Sequence, residues 1–153
     1  MQGIIVEGYG ERKNKYMDDI KIHKKIELVN PVMIAGWPGM GSVASGVVNY
    51  LRKKLDATKF AEIQLDPLAA LDSVEVNKGL ATLPEPPKNT FYYSKDPDLI
   101  IFEGESQLSG RPGIALLDKV LDFASQTGTR MIYTGAAFPL PHSHKETPQL
   151  YGA

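Results

Sequence analysis

The sequence has no cysteine, and that absence excludes disulfides, thiolate catalysis and cysteine-ligated zinc. It also lacks any excess of charge. The formal net charge of −1 gives no global reason to bind nucleic acid or a membrane surface. No apolar run approaches the ~20 residues of a membrane span. The N-terminal run Ile4-Ile5-Val6 is too short for a signal peptide and is followed by Glu7. These absences lead to the expectation of a cytoplasmic protein with one domain over residues 1–153. Its apolar and charged fractions, 42% and 23%, are those of an ordinary globular chain.

Residues 1–17 read as an irregular, charge-rich arm. Ile20, Ile22, Ile26 and Leu28 then alternate with polar residues, which predicts a strand buried on one face, with His23 on its solvated side. After Asn30-Pro31, the apolar segment Val32–Ala35 suits the interior of a sheet. The Gly36–Ser42 turn follows, with glycines at positions 36, 39 and 41 and Ser42 placed to cap a helix. Val43, Val47, Val48, Leu51 and Leu55 repeat at helical spacing, and Arg52, Lys53 and Lys54 suit the negative end of the helix dipole.

Further strands are expected at 60–65, 74–83, 90–94 and 98–105, with Pro84, Pro86 and Pro87 enforcing a turn. A helix opens near Pro112, with Ile114, Leu117, Val120, Leu121 and Ala124 as its buried stripe and Gly128 as its stop. Met131–Ala136 forms a last strand, and Phe138–Pro148 reads as an ordered loop. The alternation favours an α/β fold with a mixed central sheet and helices packed on both faces.

Three constellations carry candidate chemistry. Gly39-Met40-Gly41-Ser42-Val43-Ala44 fits G-x-G-x-x-A between strand and helix, and Asp66 ends the next strand where a ribose contact would fall. Against it, Trp37-Pro38 separates strand from glycine, and Pro38 lacks an N–H. The G-x-x-x-x-G-K-[ST] pattern matches Gly36 and Gly41, but Ser42 stands where the lysine belongs. Glu103 and Glu105 alternate onto one side of a strand near its carboxyl end, so a small-molecule or nucleotide-binding enzyme using the Gly36–Ser42 turn is the alternative reading. His142, His144 and Glu146 have the i, i+2, i+4 spacing of zinc ligands, in a proline-rich segment. Ser42 and Ser45 have no evident base. No catalytic residue, cofactor or metal is assigned.

The string from Asn30 to Val43 resembles the opening signature of the proteasome assembly chaperone 2 family: an apolar strand after Asn-Pro, a Gly-x-Pro-Gly-x-Gly turn, then a helix. Further segments resemble the family in the same order: Phe60-Ala61-Glu62-Ile63, Leu83-Pro84 with Phe91-Tyr92-Tyr93, Asp98–Ile101 with Gly104-Glu105-Ser106-Gln107, Leu121–Ala124, and Ile132–Ala136. The resemblance implies a phosphorylase/hydrolase-like fold and a binding or scaffold role without catalysis. It implies 20S proteasome α-subunits as partner. The contact residues expected on this reading are Trp37, Pro38, Gly39, Met40, Gly41, Glu105 and Gln107, with Trp37 and Met40 presented to the partner. Family domains are usually longer, and Leu150-Tyr151-Gly152-Ala153 falls where they begin another strand. A C-terminal truncation is therefore expected, with apolar edge and face left exposed, which predicts a homo-oligomer or a partner that completes the sheet. The ending is one residue too long for the family's hydrophobic-Tyr-x tail, which is not carried over.

Overall fold

The structure is a computed structural model that describes residues 17–65, 74–82, 85, 87–139, 145, 147 and 149–152. The expected N-terminal arm up to residue 16, Asp66, and His142, His144 and Glu146 lie outside the described residues.

Six strands form one mixed sheet in the order β1-β3-β6-β7-β2-β8. They are β1 (Met17–Ile22), β2 (Val32–Gly36), β3 (Thr58–Leu65), β6 (Asn89–Lys95), β7 (Asp98–Gly104) and β8 (Met131–Thr134). The pairs β1/β3, β3/β6 and β6/β7 are antiparallel, whereas β7/β2 and β2/β8 are parallel. Two helices, α1 (Val43–Lys54) and α2 (Gly110–Gln126), complete the α/β fold. β4 (Glu75–Asn77) and β5 (Leu80–Thr82) form a separate hairpin. Its turn has Lys78 and Gly79 both at positive φ, the geometry that matches hairpin twist. The expected 74–83 strand is thus two short ones, and the hairpin partner of β6 is β7.

The helices lie on opposite faces, as the alternation of β2 and β7 demonstrates. Met33, Ala35, Ile100 and Phe102 cluster with Leu116, Val120, Phe123 and Ala124 of α2. Their neighbours Leu99 and Ile101 cluster with Val48 of α1, and Val32, Ile34, Leu51 and Leu55 pack around them. The α2 face is aromatic: Phe123 sits 5.8 Å from Phe60 and 4.7 Å from Phe91, and Phe91 sits 4.8 Å from Phe102.

Three expectations need correction. The first strand stops at Ile22 rather than running to Leu28. The amides of His23 and Lys24 both donate to the Phe60 carbonyl, at 2.8 and 3.2 Å, and that sharing bends the chain out of the ladder. Ile26 and Leu28 still pack on the core, from an irregular segment. In α2, Val120 and Ala124 are buried as expected, but Ile114, Leu117 and Leu121 are exposed, and Leu116 and Phe123 take their place. In α1, Val43 and Val47 are exposed and only Val48 is buried. The stop at Gly128 stands: Gly128 has φ +68, its amide reaches the Ser125 carbonyl, and Thr129 reaches that of Ala124, a Schellman closure.

Candidate functional site

β2 and β7 are adjacent and parallel, and the helices that follow them leave on opposite sides of the sheet. Beyond their carboxyl ends lies a topological switch point, the place where open α/β sheets form crevices. The loops that meet there are Trp37–Gly39 after β2 and Glu105–Ser109 after β7. They lie side by side: a Cβ built on Gly39 would be 4.0 Å from Gln107 Oε1. The sequence-expected contact residues therefore come together at one end of the sheet. Gly39, Met40, Gly41, Glu105 and Gln107 are exposed, Met40 to 60%, while Trp37 and Pro38 are half-buried.

Trp37 is not the projecting side chain expected. Its ring centroid is 5.0 Å from that of Phe102, and it packs against the α2-side core. It also lies against the bare backbone of Gly104, where a Cβ would stand 2.5 Å from Trp37 Cδ1 and 2.8 Å from Nε1. Glycine at 104 makes room for this indole. Gly36 has a matching role on the other face, where a Cβ would meet the Ala44 carbonyl oxygen at 2.7 Å and Val48 Cγ1 at 2.8 Å. Strand-to-helix contact as close as this needs the absent side chain.

The phosphate-cradle reading loses a donor. A three-residue 3-10 turn, Met40–Ser42, precedes α1, and the Ser42 amide is used by the Gly39 carbonyl at 2.9 Å. Ser42 stands at the helix N-cap position with φ +52, but its side chain makes no capping bond, contrary to expectation. Its carbonyl instead accepts from Ser45 Oγ at 3.2 Å.

The two carboxylates separate as well. Glu103 faces α1, with Arg52 Nε 3.0 Å from its Oε2 and Asn49 Nδ2 3.5 Å from its Oε1. The Arg52 contact is one of opposite charges rather than an aligned hydrogen bond, and the guanidinium also lies 5.0 Å from the centre of the Tyr92 ring. Glu105 instead exchanges bonds with Lys88. Its amide donates to the Lys88 carbonyl and its Oε2 accepts from the Lys88 amide, both at 2.9 Å. Each carboxylate has a structural partner of its own, and they do not face a common point as an acid–base pair would. Between Ser42, Asn49, Lys53 and Glu103 runs an open groove of about 490 Å³.

A residue that the sequence reading passed over is the most unusual one here. Asn89 opens β6, opposite Gly104, and is 1% exposed, yet neither Nδ2 nor Oδ1 has a hydrogen-bond partner. The signal was its parity: Asn89 shares a face with Phe91 and Tyr93, an amide at a core position. Among the described residues no group of three potential metal ligands occurs, and no helix is long and apolar enough to cross a membrane.

A sequence model described as the PAC2 family matches residues 33–153. Among solved structures, the chain is similar to PbaB of Pyrococcus furiosus, an archaeal proteasome activator. The identity is 31%, the match covers 78% of this chain and 50% of PbaB, and the TM-score is 0.60. It is also similar to PbaA of the same organism, an archaeal homolog of proteasome-assembly chaperone, at 20% identity, 74% and 46% coverage and a TM-score of 0.51. A protein of unknown function from Thermoplasma acidophilum matches at 16% identity, 69% and 41% coverage and a TM-score of 0.51. The last two likenesses concern the fold alone. The chain spans half or less of the length of each of these structures. No curated protein matches it.

Proposed function

Because this chain belongs to the PAC2 family, we propose that it is a binding protein of the proteasome-assembly kind, which docks on 20S proteasome α-subunits in the cytoplasm without catalysis and self-associates. The observation that carries the reading is the loop surface at the switch point. There Met40, Gly39, Gly41, Glu105 and Gln107 are exposed at one end of the sheet, with Gly39 next to Gln107, beside the Trp37–Phe102 packing. An exposed methionine framed by glycines and polar residues suits adaptable protein contact. The engagement of Glu103 by Arg52 and of Glu105 by Lys88 supports a scaffold over an acid–base enzyme. The resemblance of a third of aligned positions to a proteasome activator supports the identity of the partner.

The test is capture of the host's own 20S α-subunits by the purified chain, with Met40→Asp as the surface variant. Capture that falls at least about tenfold in Met40→Asp, at unchanged melting temperature, is the expected result. No capture of α-subunits by the unaltered chain would sink the docking reading. Light scattering reports self-association separately, and a monomer at high concentration counts against that part.

A further inference from the structure

We propose that the Trp37 indole plugs a ligand site whose reading group is the Asn89 carboxamide, and that the ligand is a planar, purine-sized group carrying a hydrogen-bond donor and acceptor side by side. Buried amides are almost always partnered, and Asn89 is 1% exposed with both polar atoms unpaired. A local rule broken inside an otherwise consistent core marks a functional position more often than a packing accident. Asn89 sits beneath the switch-point crevice, opposite Gly104 in the ladder and next to the indole. The point where a Gly104 Cβ would stand is 3.2 Å from Asn89 Oδ1 and 2.8 Å from Trp37 Nε1.

The indole itself measures the site. It is a nine-atom planar bicycle, as a purine is, held over the side-chain-free Gly104, with the Phe102 ring beside Gly104 on the same strand face at a centroid distance of 5.0 Å. A ligand ring in its place keeps that packing and sets a donor and an acceptor side by side against the carboxamide, whereas the indole has a single N–H, no acceptor, and makes no bond to Asn89. An asparagine amide pairs in this two-bond manner with the N6–H and N7 edge of adenine. The half-buried Pro38 and the exposed Gly39 follow Trp37 in a loop outside the sheet, so the plug leaves with its loop while β2 stays in place. The site is on the α2 side, away from the Glu103 groove, and uses no phosphate contact.

Trp37 is the one tryptophan of the chain, so its fluorescence reports displacement directly. Adenosine is titrated against the full chain up to about 5 mM, with N6,N6-dimethyladenosine as the probe lacking the donor and nicotinamide as the single-ring probe that keeps the donor and acceptor. The expected result is a saturable change with adenosine, none with the dimethyl analogue, weaker binding of the smaller nicotinamide, and at least a tenfold loss in Asn89→Leu. Calorimetry on Trp37→Leu, which keeps an apolar group over Phe102 but shrinks the plug, is expected to give about tenfold tighter binding, because the closed state no longer competes. Absence of binding to both the unaltered chain and Trp37→Leu overturns the proposal, as does binding that survives in Asn89→Leu. Capture of α-subunits is read independently, so failure here leaves the docking reading standing, and the reverse holds.

Discussion

The two faces of the sheet are built from the same strands and solve different problems. On the α2 face, Phe60, Phe91, Phe102 and Phe123 interlock at centroid distances of 4.7 to 6.3 Å, and the cluster extends to Met33, Ile63 and Leu65. On the α1 face the buried apolar residues among the described ones are Val48, Leu99 and Ile101, with Val32, Ile34 and Tyr92 partly buried beside them, and the sheet also carries charge there. Glu62, Thr90 and Glu103 stand opposite one another in the register and form a polar row across three strands. Glu62 is met by Lys21, His23 and Lys59, and Glu103 by Arg52. Apolar burial is worth roughly 25 cal/mol per Å², whereas half-exposed ion pairs contribute about 0–1 kcal/mol each. The α2 face therefore carries most of the stability. The α1 face sets geometry through contact and charge.

The comparison is broken most directly at Phe123. Phe123→Ala removes the ring that contacts Phe60 and Phe91 and is expected to cost about 3–5 kcal/mol, measured by urea unfolding. A cost below about 1 kcal/mol would mean the aromatic face is not the stabilising one. Next is Gly36→Ala, which presses a methyl onto the Ala44 carbonyl and displaces α1 from β2. A loss of about 1–3 kcal/mol is expected, with the Trp37 environment on the far face little changed. An equal or larger shift of Trp37 fluorescence would show that the faces are coupled through the strand.

How much of this was legible depended on which face a segment belonged to. β2, β7 and β8 are continuous apolar runs and could be read directly, as could α1 from its late arginine and lysines and α2 from its glycine stop. The facing of α2 was not legible. Its sequence has one apolar row at Leu116, Val120, Phe123 and Ala124 and another at Ile114, Leu117 and Leu121, and helical periodicity ranks them about equally. Only the shape of the phenylalanine cluster chooses between them. Lys119 follows the chosen row inward although it is charged, and its long aliphatic stem makes that possible. The extent of β1 was lost for a similar reason. Alternation continues to Leu28, but the pairing ends where two amides share the Phe60 carbonyl. At the candidate site, the glycine turn was visible, whereas the Trp37–Gly104 contact depends on β2 and β7, far apart in sequence, being neighbours, and the lack of partners at Asn89 depends on what packs over the end of the β6/β7 hairpin.

Charge on the α1 face gives smaller effects. Glu103→Gln leaves the side chain's shape and removes its attraction for Arg52, so about 1 kcal/mol is expected, and less in high salt. Arg52 also rests on Tyr92, which limits the loss. An effect as large as that of Phe123→Ala would overturn the division of labour between the faces.

The smallest expected effect concerns Glu62 and is best seen through pH. Its carboxyl lies below the ordinary carboxylate value, chiefly because Lys59 donates a hydrogen bond to it, with the charges of Lys59 and His23 adding to this and burial opposing it. The folded value is lower than the unfolded one, so the unfolded chain takes up the proton first as pH falls. The resulting stability is fully present above the unfolded carboxyl value of about 4.3 and disappears as pH drops through the lower folded value. Glu62→Gln, which cannot ionise, lacks this contribution at every pH. The melting temperature of the unaltered chain should therefore exceed that of the variant at about pH 6, and the gap should close toward about pH 3. Both amines lie at the protein surface, with side chains 60% exposed for Lys21 and 40% for Lys59, so salt should narrow the gap at pH 6 as well. A gap that stays constant from pH 6 to about pH 3 would place the role of Glu62 in packing rather than charge and remove the electrostatic end of the comparison.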